Sequence, residues 1–521
     1  MKLRLLEEHP PIGDLKRVRL RRLIAKILQE EDRGICPVRL AADVVPRLCS
    51  WFEDLRLDHR NLPILESEAR HLRAWGLHAG DLPDPDQARL KWLEAYPAYL
   101  RGHYEESLRI LRQAQGRLAS AISSGSVVDT TRLLHASILN DIGAMTCETG
   151  GKSPEAAAAP LSEALAIRKD VLGRDHEDTA MTMANLGSAT SDKDLMLEAL
   201  DIRVSVCGPK SEWTAWSLTE LARHERLYGK VEDGKDFAKR ALEASQNDAE
   251  PAKGKALTQM ADCLNDEADP SAIEVATDAV AALRHCVGDD HVLTMEASRT
   301  LGAALYRNGR TQEALDLAIA AAKRTRKTLG ATHRDLVKDE FNIAATLDDM
   351  GQTADSLAHA IPAWKLFGQV GGLGPNMHYK LAILLSSLHM KIKDGKRSLQ
   401  FAEEAASVAR DHLSEDEGFL IRATWEAARA LGLDKRPAEA VALLSKTEAD
   451  VSDGGKGRLQ ELKEQIYRVH PGLRVGLQVA KPTDMTPSPR KPATPSSKKK
   501  LDAQKRKRKR KQGRRDRKRG R

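Results

Sequence analysis

Apolar residues recur at helical spacing in a short stretch, Leu161 to Gly187, whose pattern returns along much of the chain. In its first half they fall on one face of a predicted helix, and Gly173 follows where a helix can end in a left-handed residue. A polar turn, RDHED, comes next. Asp178 or Thr179 is predicted to cap a second helix by accepting a hydrogen bond from a free N–H group. The stretch therefore predicts a unit of two helices and a tight turn.

Copies of this unit lie at fixed offsets. A shift of 35 places Gly173 on Gly208, and shifts of 115 and 157 place His176 on His291 and His333. The copies begin near residues 164, 199, 241, 279, 321, 363 and 405, so the dominant period is 42. A period of this length predicts stacked two-helix repeats, because one pair cannot bury its apolar face alone.

The pattern divides the chain into four regions. Residues 1–80 are predicted to form a helical N-terminal region or cap, with helices at Leu15–Leu28 and Arg39–Leu55. Residues 85–450 are predicted to form the solenoid, in which 129–145 and 154–173 make one pair. Residues 451–480 are predicted to hold a terminal helix at Gly457–Val469 and a linker, and 481–521 a disordered Lys/Arg-rich tail.

Composition agrees with an all-α fold. Aromatic residues make up 4% of the chain and charged residues 30%, which suits helices packed through small and aliphatic side chains. The six cysteines are scattered without zinc-ligand spacing and are predicted to be buried free thiols. No apolar run is long enough to span a membrane, so a soluble, intracellular protein is expected.

Charge is distributed unevenly along the chain. The tail from Lys481 has 19 Lys and Arg against 3 Asp and Glu, a net charge of +16. The whole chain has a formal net charge of +8, so the other 480 residues carry a net charge of −8. An acidic body with a strongly basic arm is predicted.

No motif in the sequence predicts catalysis. His176, His291 and His333 fall in separate turns without further ligands nearby, so a structural role in the turn is favoured over a metal site. Gly371 to Gly374 lacks the Lys and Ser/Thr that end a phosphate loop, and is predicted to be a turn between repeats. We therefore expect no catalytic residue, no cofactor and no metal.

The motif A-L-x-I-R-x-x-V-L-G-x-x-H-x-x-T-x-x-x-x-x-N-L, at Ala164 to Leu186, resembles the tetratricopeptide variant found in kinesin light chains. The resemblance covers about Pro85 to Asp450 and implies a right-handed α-solenoid whose first helices line a concave groove. A sustained heptad run, which the kinesin light chains use to bind their motor, is not seen in residues 1–80.

The same resemblance implies a partner site. The asparagine before the final Leu of the motif commonly binds an extended peptide in that family. The matching positions here, including two substitutions, are Asn185, Glu220, Thr300 and Asn342. A solvent-exposed residue without partner contact is the alternative for each asparagine.

The tail has two dense basic clusters. They comprise Lys505, Arg506, Lys507, Arg508, Lys509, Arg510 and Lys511, then Arg514, Arg515, Arg517, Lys518 and Arg519. Such runs resemble nuclear and nucleolar localisation signals read by import receptors, and they also bind RNA or DNA through phosphates. Thr486, Ser488 and Thr494 each precede a proline and match proline-directed phosphorylation sites.

Three hypotheses follow. The first is a non-enzymatic scaffold that binds a protein or peptide in its groove and is directed to the nucleus or nucleolus by the tail. The second is a nucleic-acid- or ribosome-associated protein whose tail supplies sequence-independent affinity. The third is a cytoplasmic cargo adaptor similar to a kinesin light chain.

Overall fold

The computed structural model describes residues 37–56, 58–77, 83–123, 128–149, 154–245, 251–371, 373–414 and 416–470. Within these ranges the chain is helical, with short turns and no strand. It divides into two compact units, residues 1–460 and residues 461–521. The predicted all-α fold of consecutive helix pairs is confirmed. The predicted helix Leu15–Leu28 and the tail 481–521 lie outside the described residues.

Among the described residues, five helices and one 3-10 turn precede the regular pairs. They are α1 (Pro37–Leu55), the turn His59–Asn61, α2 (Leu62–Leu77), α3 (Asp84–Glu94), α4 (Tyr96–Leu100) and α5 (Tyr104–Ser123). The predicted helix at Arg39–Leu55 is confirmed and begins two residues earlier. These elements share one apolar core, which includes Phe52, Leu65, Leu93 and Leu111.

The regular pairs then follow one another without interruption. They are α6 (Asp129–Glu148) with α7 (Pro154–Val171), α8 (Glu177–Thr190) with α9 (Lys193–Cys207), α10 (Glu212–Tyr228) with α11 (Val231–Ala244), α12 (Pro251–Asp266) with α13 (Ala272–Val287), α14 (Val292–Arg307) with α15 (Thr311–Thr328), α16 (Arg334–Asp349) with α17 (Thr353–Phe367), α18 (Pro375–Lys391) with α19 (Gly395–His412), and α20 (Glu417–Leu433) with α21 (Pro437–Thr447). A 3-10 turn (Glu448–Asp450) and α22 (Asp453–Val469) end the described chain, and α22 begins four residues before the predicted terminal helix.

Small residues allow the helices of a pair to approach closely. Ala164, Ala180 and Ala199 have no exposed surface. A Cβ atom added at Gly187 in α8 would lie 2.6 Å from Cγ of Met196 in α9, so no side chain fits there. The low aromatic content of the chain follows from this packing, because closely spaced helices leave little room for rings between them.

One turn recurs between the pairs and accounts for the motif. Gly173, Gly208 and Gly288 have φ angles of 88°, 91° and 87°, in the left-handed region that favours glycine. The carbonyl of each glycine accepts a hydrogen bond from a threonine hydroxyl six residues later, at 2.7–2.8 Å. The glycine ends one helix and the threonine ties that end to the next helix.

The capping residue differs from the one predicted. His176, not Asp178 or Thr179, is the N-cap of α8, and its Nδ1 accepts the N–H of Asp178 at 3.1 Å. His291 and His333 cap α14 and α16 in the same way, with N···N distances of 3.2 Å. The prediction was wrong because histidine is not among the usual capping residues. The structural role predicted for these histidines is confirmed.

A buried arginine of the motif joins successive pairs. Arg168 is 1% exposed, and its guanidinium donates to the carbonyl of Asp178 at 2.8 Å and to the hydroxyl of Thr182 at 2.6 Å. Arg203, one copy later, donates to the hydroxyl of Ser217 at 2.7 Å. The arginine therefore fastens the second helix of one pair to the first helix of the next.

The cysteines agree only partly with the prediction. The five in the described residues are free thiols, and Cys36 lies outside these residues. Cys49 and Cys263 are buried, and burial raises the pKa of Cys49 to about 12. Cys147 is exposed at the end of α6, so the expectation that all are buried was wrong. In the described ranges no helix is both long and apolar enough to cross a membrane.

Candidate functional site

The first helices of successive pairs line an inner groove, and polar contacts join each of them to the next. These contacts lie about one repeat apart in sequence and resemble the rungs of a ladder. They include Asn185 Nδ2 to Asn140 Oδ1 at 3.0 Å, Thr300 Oγ1 to Asp262 Oδ1 at 2.9 Å, Arg299 Nε to Asp339 Oδ1 at 2.8 Å, and Lys391 Nζ to Asp348 Oδ1 at 2.7 Å. The groove is polar because these rungs occupy much of its wall.

The N-terminal cavity of the groove has a volume of about 550 Å³. It is lined by the first helices from α6 to α16 and by residues of the N-terminal region. Its aromatic residues are Tyr96, Tyr99, Tyr104, Trp213 and Trp216. A chain with only seven Trp and seven Tyr thus places five of them around one cavity.

Charged residues in the wall of the N-terminal cavity are paired with one another. These ion pairs are Arg334 with Glu148, Arg223 with Glu220, and Lys338 with Asp335, each at 3.0 Å, and Lys255 with Glu296. Burial by itself raises the pKa of Glu296, but the neighbouring cations Lys255, Lys338 and Arg299 together hold this pKa below its ordinary value, with Lys255 the strongest of them. The wall therefore offers little unneutralised charge to a ligand.

The N-terminal region lines one side of this cavity and contacts helices far along the chain. The imidazole of His59 stacks on Trp216 with ring centroids 5.6 Å apart, and its Nδ1 lies 3.4 Å from Nε2 of His291. Nε2 of His333 donates to the carbonyl of Gly102 at 2.8 Å. We call His59, Gly102, His291 and His333 the clasp.

The C-terminal cavity of the groove has a volume of about 510 Å³ and is lined mainly by α14, α15, α16 and α18. Much of its surface is apolar, contributed by Ala303, Leu317, Ala318, Phe341, Ala345, Ile383 and Leu384. A cavity of this size with an apolar floor and a few polar groups is typical of ligand sites in proteins.

Positive charge in the C-terminal cavity is not neutralised. Lys380 and Arg422 line it, and neither forms an ion pair or hydrogen bond through its side chain with any described residue. Arg307 reaches Asp266 only at 3.8 Å. Burial and the nearby guanidinium of Arg307 lower the pKa of Lys380.

The carboxylates of the same cavity are engaged in contacts. Asp348 binds Lys391, Asp349 accepts the hydroxyl of Tyr306, and Asp339 binds Arg299. The cavity therefore presents an excess of cations.

The four aligned positions predicted to bind a partner have different surroundings. Asn185 and Glu220 line the N-terminal cavity, where Asn185 is a rung of the ladder and Glu220 is paired with Arg223. Thr300 is 6% exposed, bonded within the ladder, and part of neither cavity wall.

Asn342 is the exception among these four. It lines the C-terminal cavity, and its side-chain amide has no hydrogen-bond partner among the described residues. The structure thus does not bring the four positions together into one uniform peptide clamp.

Lys380 and Arg422 were not identified from the sequence, although a signal was present. Lys338, Lys380 and Arg422 are spaced by 42 residues and hold the same position in three successive first helices. Applying the period to charged residues as well as to apolar ones would have revealed this cationic stripe. Gly371 and Gly374 lie in the turn between α17 and α18, as predicted.

Several predicted residues lie outside the described part of the chain. They are the basic clusters from Lys505 to Arg519 and the phosphorylation sites Thr486, Ser488 and Thr494. In the described residues, no three His, Cys, Asp or Glu side chains come together as a metal site.

Comparison with protein families identifies the repeat. The model of the tetratricopeptide repeat matches residues 135–178 and 294–335. The first match includes most of α6, all of α7 and the turn to α8, and the second includes most of α14, all of α15 and the turn to α16. The predicted repeat class is therefore confirmed. No protein with a curated description matches the chain.

Solved structures of other helical-repeat proteins are similar to the chain. One is a putative kinesin light chain from Podosopora anserina with nearly identical TPR-like repeats, with 17% identity over 36% of this chain and 94% of that chain, and a TM-score of 0.29. Another is BtubC (BKLC) from P. vanneervenii, with 12% identity over 53% and 99%, and a TM-score of 0.33. A third is a Rap protein complexed with competence and sporulation factor, with 11% identity over 76% and 100%, and a TM-score of 0.37. At these TM-scores the likenesses carry no argument about partner or function.

Proposed function

We propose that this tetratricopeptide repeat protein is a non-enzymatic scaffold that binds an extended, acidic segment of a partner protein in its C-terminal cavity. The observation that carries this proposal is the pair Lys380 and Arg422, two cations of the cavity wall without a counter-ion among the described residues. Carboxylates of a partner segment would supply the missing negative charge.

Two further features of the cavity favour a peptide. The amide of Asn342 has both a donor and an acceptor free for the backbone of an extended segment. The apolar floor, with Leu317, Phe341 and Ile383, suits alternate apolar side chains of that segment. The paired charges of the N-terminal cavity make it the less suitable of the two sites.

Binding of defined peptides tests this proposal. The probes are a fluorescent decapeptide of alternating Leu and Glu and its counterpart of alternating Leu and Lys, titrated with the full chain and followed by anisotropy. We expect the acidic peptide to bind and the basic one not to bind. Lys380→Glu with Arg422→Glu should weaken binding of the acidic peptide by at least about 100-fold, because two attractive charges become repulsive.

The matched control reverses two charges on the outer helix α19, with Lys396→Glu and Arg410→Glu. Both side chains are exposed, and neither lines a cavity. The net charge changes equally, so an effect of long-range attraction alone would weaken binding in both double variants. Equal losses in the two variants would overturn the assignment to the C-terminal cavity.

The basic tail directs this scaffold to the nucleus or nucleolus in our proposal. Support comes from the two clusters Lys505–Lys511 and Arg514–Arg519, which match the composition that import receptors read. Deleting 498–521 should move a fluorescent fusion protein from the nucleus to the cytoplasm. An unchanged distribution would contradict the targeting role.

Direct contact of the tail with RNA or DNA is the second candidate function. Its support is the net charge of +16 over 41 residues without an aromatic side chain, which favours phosphate contacts over base stacking. If six or more phosphates are contacted, affinity for an RNA duplex should fall by about 10³ or more between 50 and 200 mM salt. Affinity purification of the full chain and of residues 1–480, with and without nuclease, separates partners of the tail from partners of the solenoid.

Phosphorylation at Thr486, Ser488 and Thr494 would regulate this tail. Each phosphate adds about −1.5 to −2 charges and partly neutralises the basic clusters. Triple replacement by glutamate should shift the fusion protein toward the cytoplasm and weaken RNA binding. No change in either measurement would argue against such regulation.

A further inference from the structure

We propose that the clasp is releasable: contacts of His59, His291 and His333 hold the N-terminal region against the later helix pairs, and uptake of protons by these imidazoles releases it. The proposal is independent of the partner site in the C-terminal cavity. It concerns how the N-terminal region is attached to the other half of the groove.

The clasp joins residues that are far apart in sequence. His59 and His291 are separated by 232 positions, and Gly102 and His333 by 231. The contact at Gly102 is tight, because a Cβ added there would lie 2.8 Å from Cγ1 of Val292. Its φ of +80° also favours glycine. The approach of the two regions is therefore specific to this backbone.

One neutral tautomer of His333 makes both of its contacts. Nδ1 must lack a proton to accept the N–H of Asp335, and Nε2 must carry one to donate to the carbonyl of Gly102. The same tautomer of His291 accepts the N–H of Leu293 at Nδ1 and directs its Nε2 proton toward Nδ1 of His59. The caps thus require the neutral imidazoles, whereas Nε2 of His333 can donate to Gly102 in the charged form as well. The clasp contact that proton uptake opposes directly is therefore the one between His59 and His291.

Proton uptake disrupts this arrangement at each histidine. A proton on Nδ1 of His333 or His291 would face the N–H group that this nitrogen now binds, and the cap would be lost. A proton on Nδ1 of His59 would face the Nε2 proton of His291. Burial lowers the pKa of His59 to about 4 and that of His291 to about 3, and burial also lowers the pKa of His333. The clasped form therefore disfavours the charged imidazoles, and acid favours release of the clasp.

Charged neighbours do not reverse this preference. Those acting on the three imidazoles are Asp58 and Lys255 at His59, Arg101 at His291, and Asp335, His103 and Arg334 at His333. The carboxylates of Asp58 and Asp335 and the carbonyl of Gly102 at His333 favour proton uptake, whereas the cations oppose it, and burial is the largest influence at each site.

Hydrogen exchange on the full chain tests the proposal. Peptides that cover residues 99–104 and 291–296 should exchange at least about tenfold faster at pH 5.5 than at pH 7.5 after correction for intrinsic rates, the effect expected when one or more hydrogen bonds are lost. Peptides from α20 should not change in the same way. No acceleration at the clasp would overturn the proposal.

His176 supplies a matched control for the clasp. Its Nδ1 caps α8 as His333 caps α16, but its Nε2 has no partner among the described residues. Asparagine is a good N-cap, so His333→Asn and His176→Asn both keep the cap, and only His333→Asn loses the contact to Gly102. We expect His333→Asn to accelerate exchange of residues 99–104 at pH 7.5 and His176→Asn to leave it unchanged. Equal behaviour of the two variants would overturn the proposal.

A covalent lock completes the test without removing any histidine. A Cβ at position 102 would lie 3.9 Å from Cβ of Val292, within the usual range for a disulfide. Oxidised Gly102→Cys with Val292→Cys should abolish the acid-induced acceleration, and the reduced double variant should restore it. Persistence of the acceleration in the oxidised form would show that opening at the clasp is not its cause.

Discussion

The two halves of the groove are built from the same repeat but differ in what they offer to a partner. Their cavities have similar volumes, about 550 and 510 Å³. In the N-terminal half the charges of the wall are paired and the clasp holds the N-terminal region in place, whereas in the C-terminal half Lys380 and Arg422 form no ion pair with any described residue. The repeat period determines which positions face the groove, and contacts beyond the repeat determine whether that surface is available.

The largest effect that separates the halves is expected at Arg168. Replacing it with Met removes a cation that is 1% exposed together with its hydrogen bonds, and leaves the carbonyl of Asp178 and the hydroxyl of Thr182 without this donor. We expect a loss of about 3 kcal/mol in the free energy of unfolding. Urea unfolding should show this loss of stability in the N-terminal half. The C-terminal half should still bind the acidic peptide, because repeats are coupled mainly to their neighbours.

Arg284 is an exposed control for Arg168, because it lies one residue after Leu283, which holds the equivalent position in a later copy of the motif. Its guanidinium pairs with Asp289 at 2.8 Å, and the two side chains are 55% and 45% exposed. Arg284→Met should therefore change stability by less than about 0.5 kcal/mol. Equal effects of the two substitutions would contradict the joining role of Arg168.

The next effect concerns Gly102 of the clasp. Gly102→Val places a branched side chain where a Cβ alone would meet Val292 at 2.8 Å, in a backbone conformation with φ of +80°. We expect strain of about 2 kcal/mol, which loosens the contact between the N-terminal region and α14 beside the N-terminal cavity. The exposed thiol of Cys147, which lines this cavity, should then react faster with a thiol reagent.

Binding of the acidic peptide should be unchanged in Gly102→Val, because the C-terminal cavity does not include position 102. Gly116→Val is a suitable control, since nothing lies within 4 Å of a Cβ at that position. If Gly102→Val weakened peptide binding as much as it accelerated labelling of Cys147, the two halves would not be independent.

A smaller effect follows from pH. His291 is 3% exposed, and burial lowers its pKa to about 3, below the ordinary value near 6.5. Its contribution to stability is therefore complete above pH 6.5 and is lost as the pH falls toward 3. Because of this histidine, the free energy of unfolding should be about 1.4 kcal/mol lower at pH 5.5 than at pH 7.5.

Comparison with His291→Asn isolates that contribution. The variant keeps an N-cap acceptor but has no group that titrates in this range. The difference in the urea midpoint between the native chain and the variant should narrow or reverse on acidification. A constant difference from pH 7.5 to 5.5 would exclude His291 as a source of the pH dependence.

The smallest effects distinguish the two asparagines. Asn342→Ala should lower the affinity for the acidic peptide by about fivefold, the contribution of one hydrogen bond, without changing the free energy of unfolding. Asn185→Ala should leave peptide affinity unchanged and cost about 1 kcal/mol, because it removes the bond to Asn140. Weaker peptide binding in Asn185→Ala together with unchanged binding in Asn342→Ala would place the partner in the N-terminal cavity.

Much of the fold could be predicted because its signals are local. The spacing of apolar residues predicts the helix pairs, and Gly173 and its equivalents mark where each pair ends. The cap at His176 was missed because the capping preferences favour Asp or Thr nearby, whereas the geometry of this turn suits the imidazole. The site was predicted less well. Alignment treats Asn185, Glu220, Thr300 and Asn342 as equivalent. Asn185 and Thr300, however, contact the preceding first helix, Glu220 pairs with Arg223 of its own helix, and the side chain of Asn342 has no hydrogen-bond partner among the described residues.

His176 and His333 mark the limit of what the sequence determined. By itself it determined the repeat, its period of 42 and the turn in which both histidines lie, because those contacts span only a few residues. Only the tertiary structure decided that Nε2 of His333 reaches Gly102, whereas Nε2 of His176 has no partner among the described residues. The physical reason is that closure depends on the rotation accumulated over several stacked pairs, which brings together residues more than 200 positions apart.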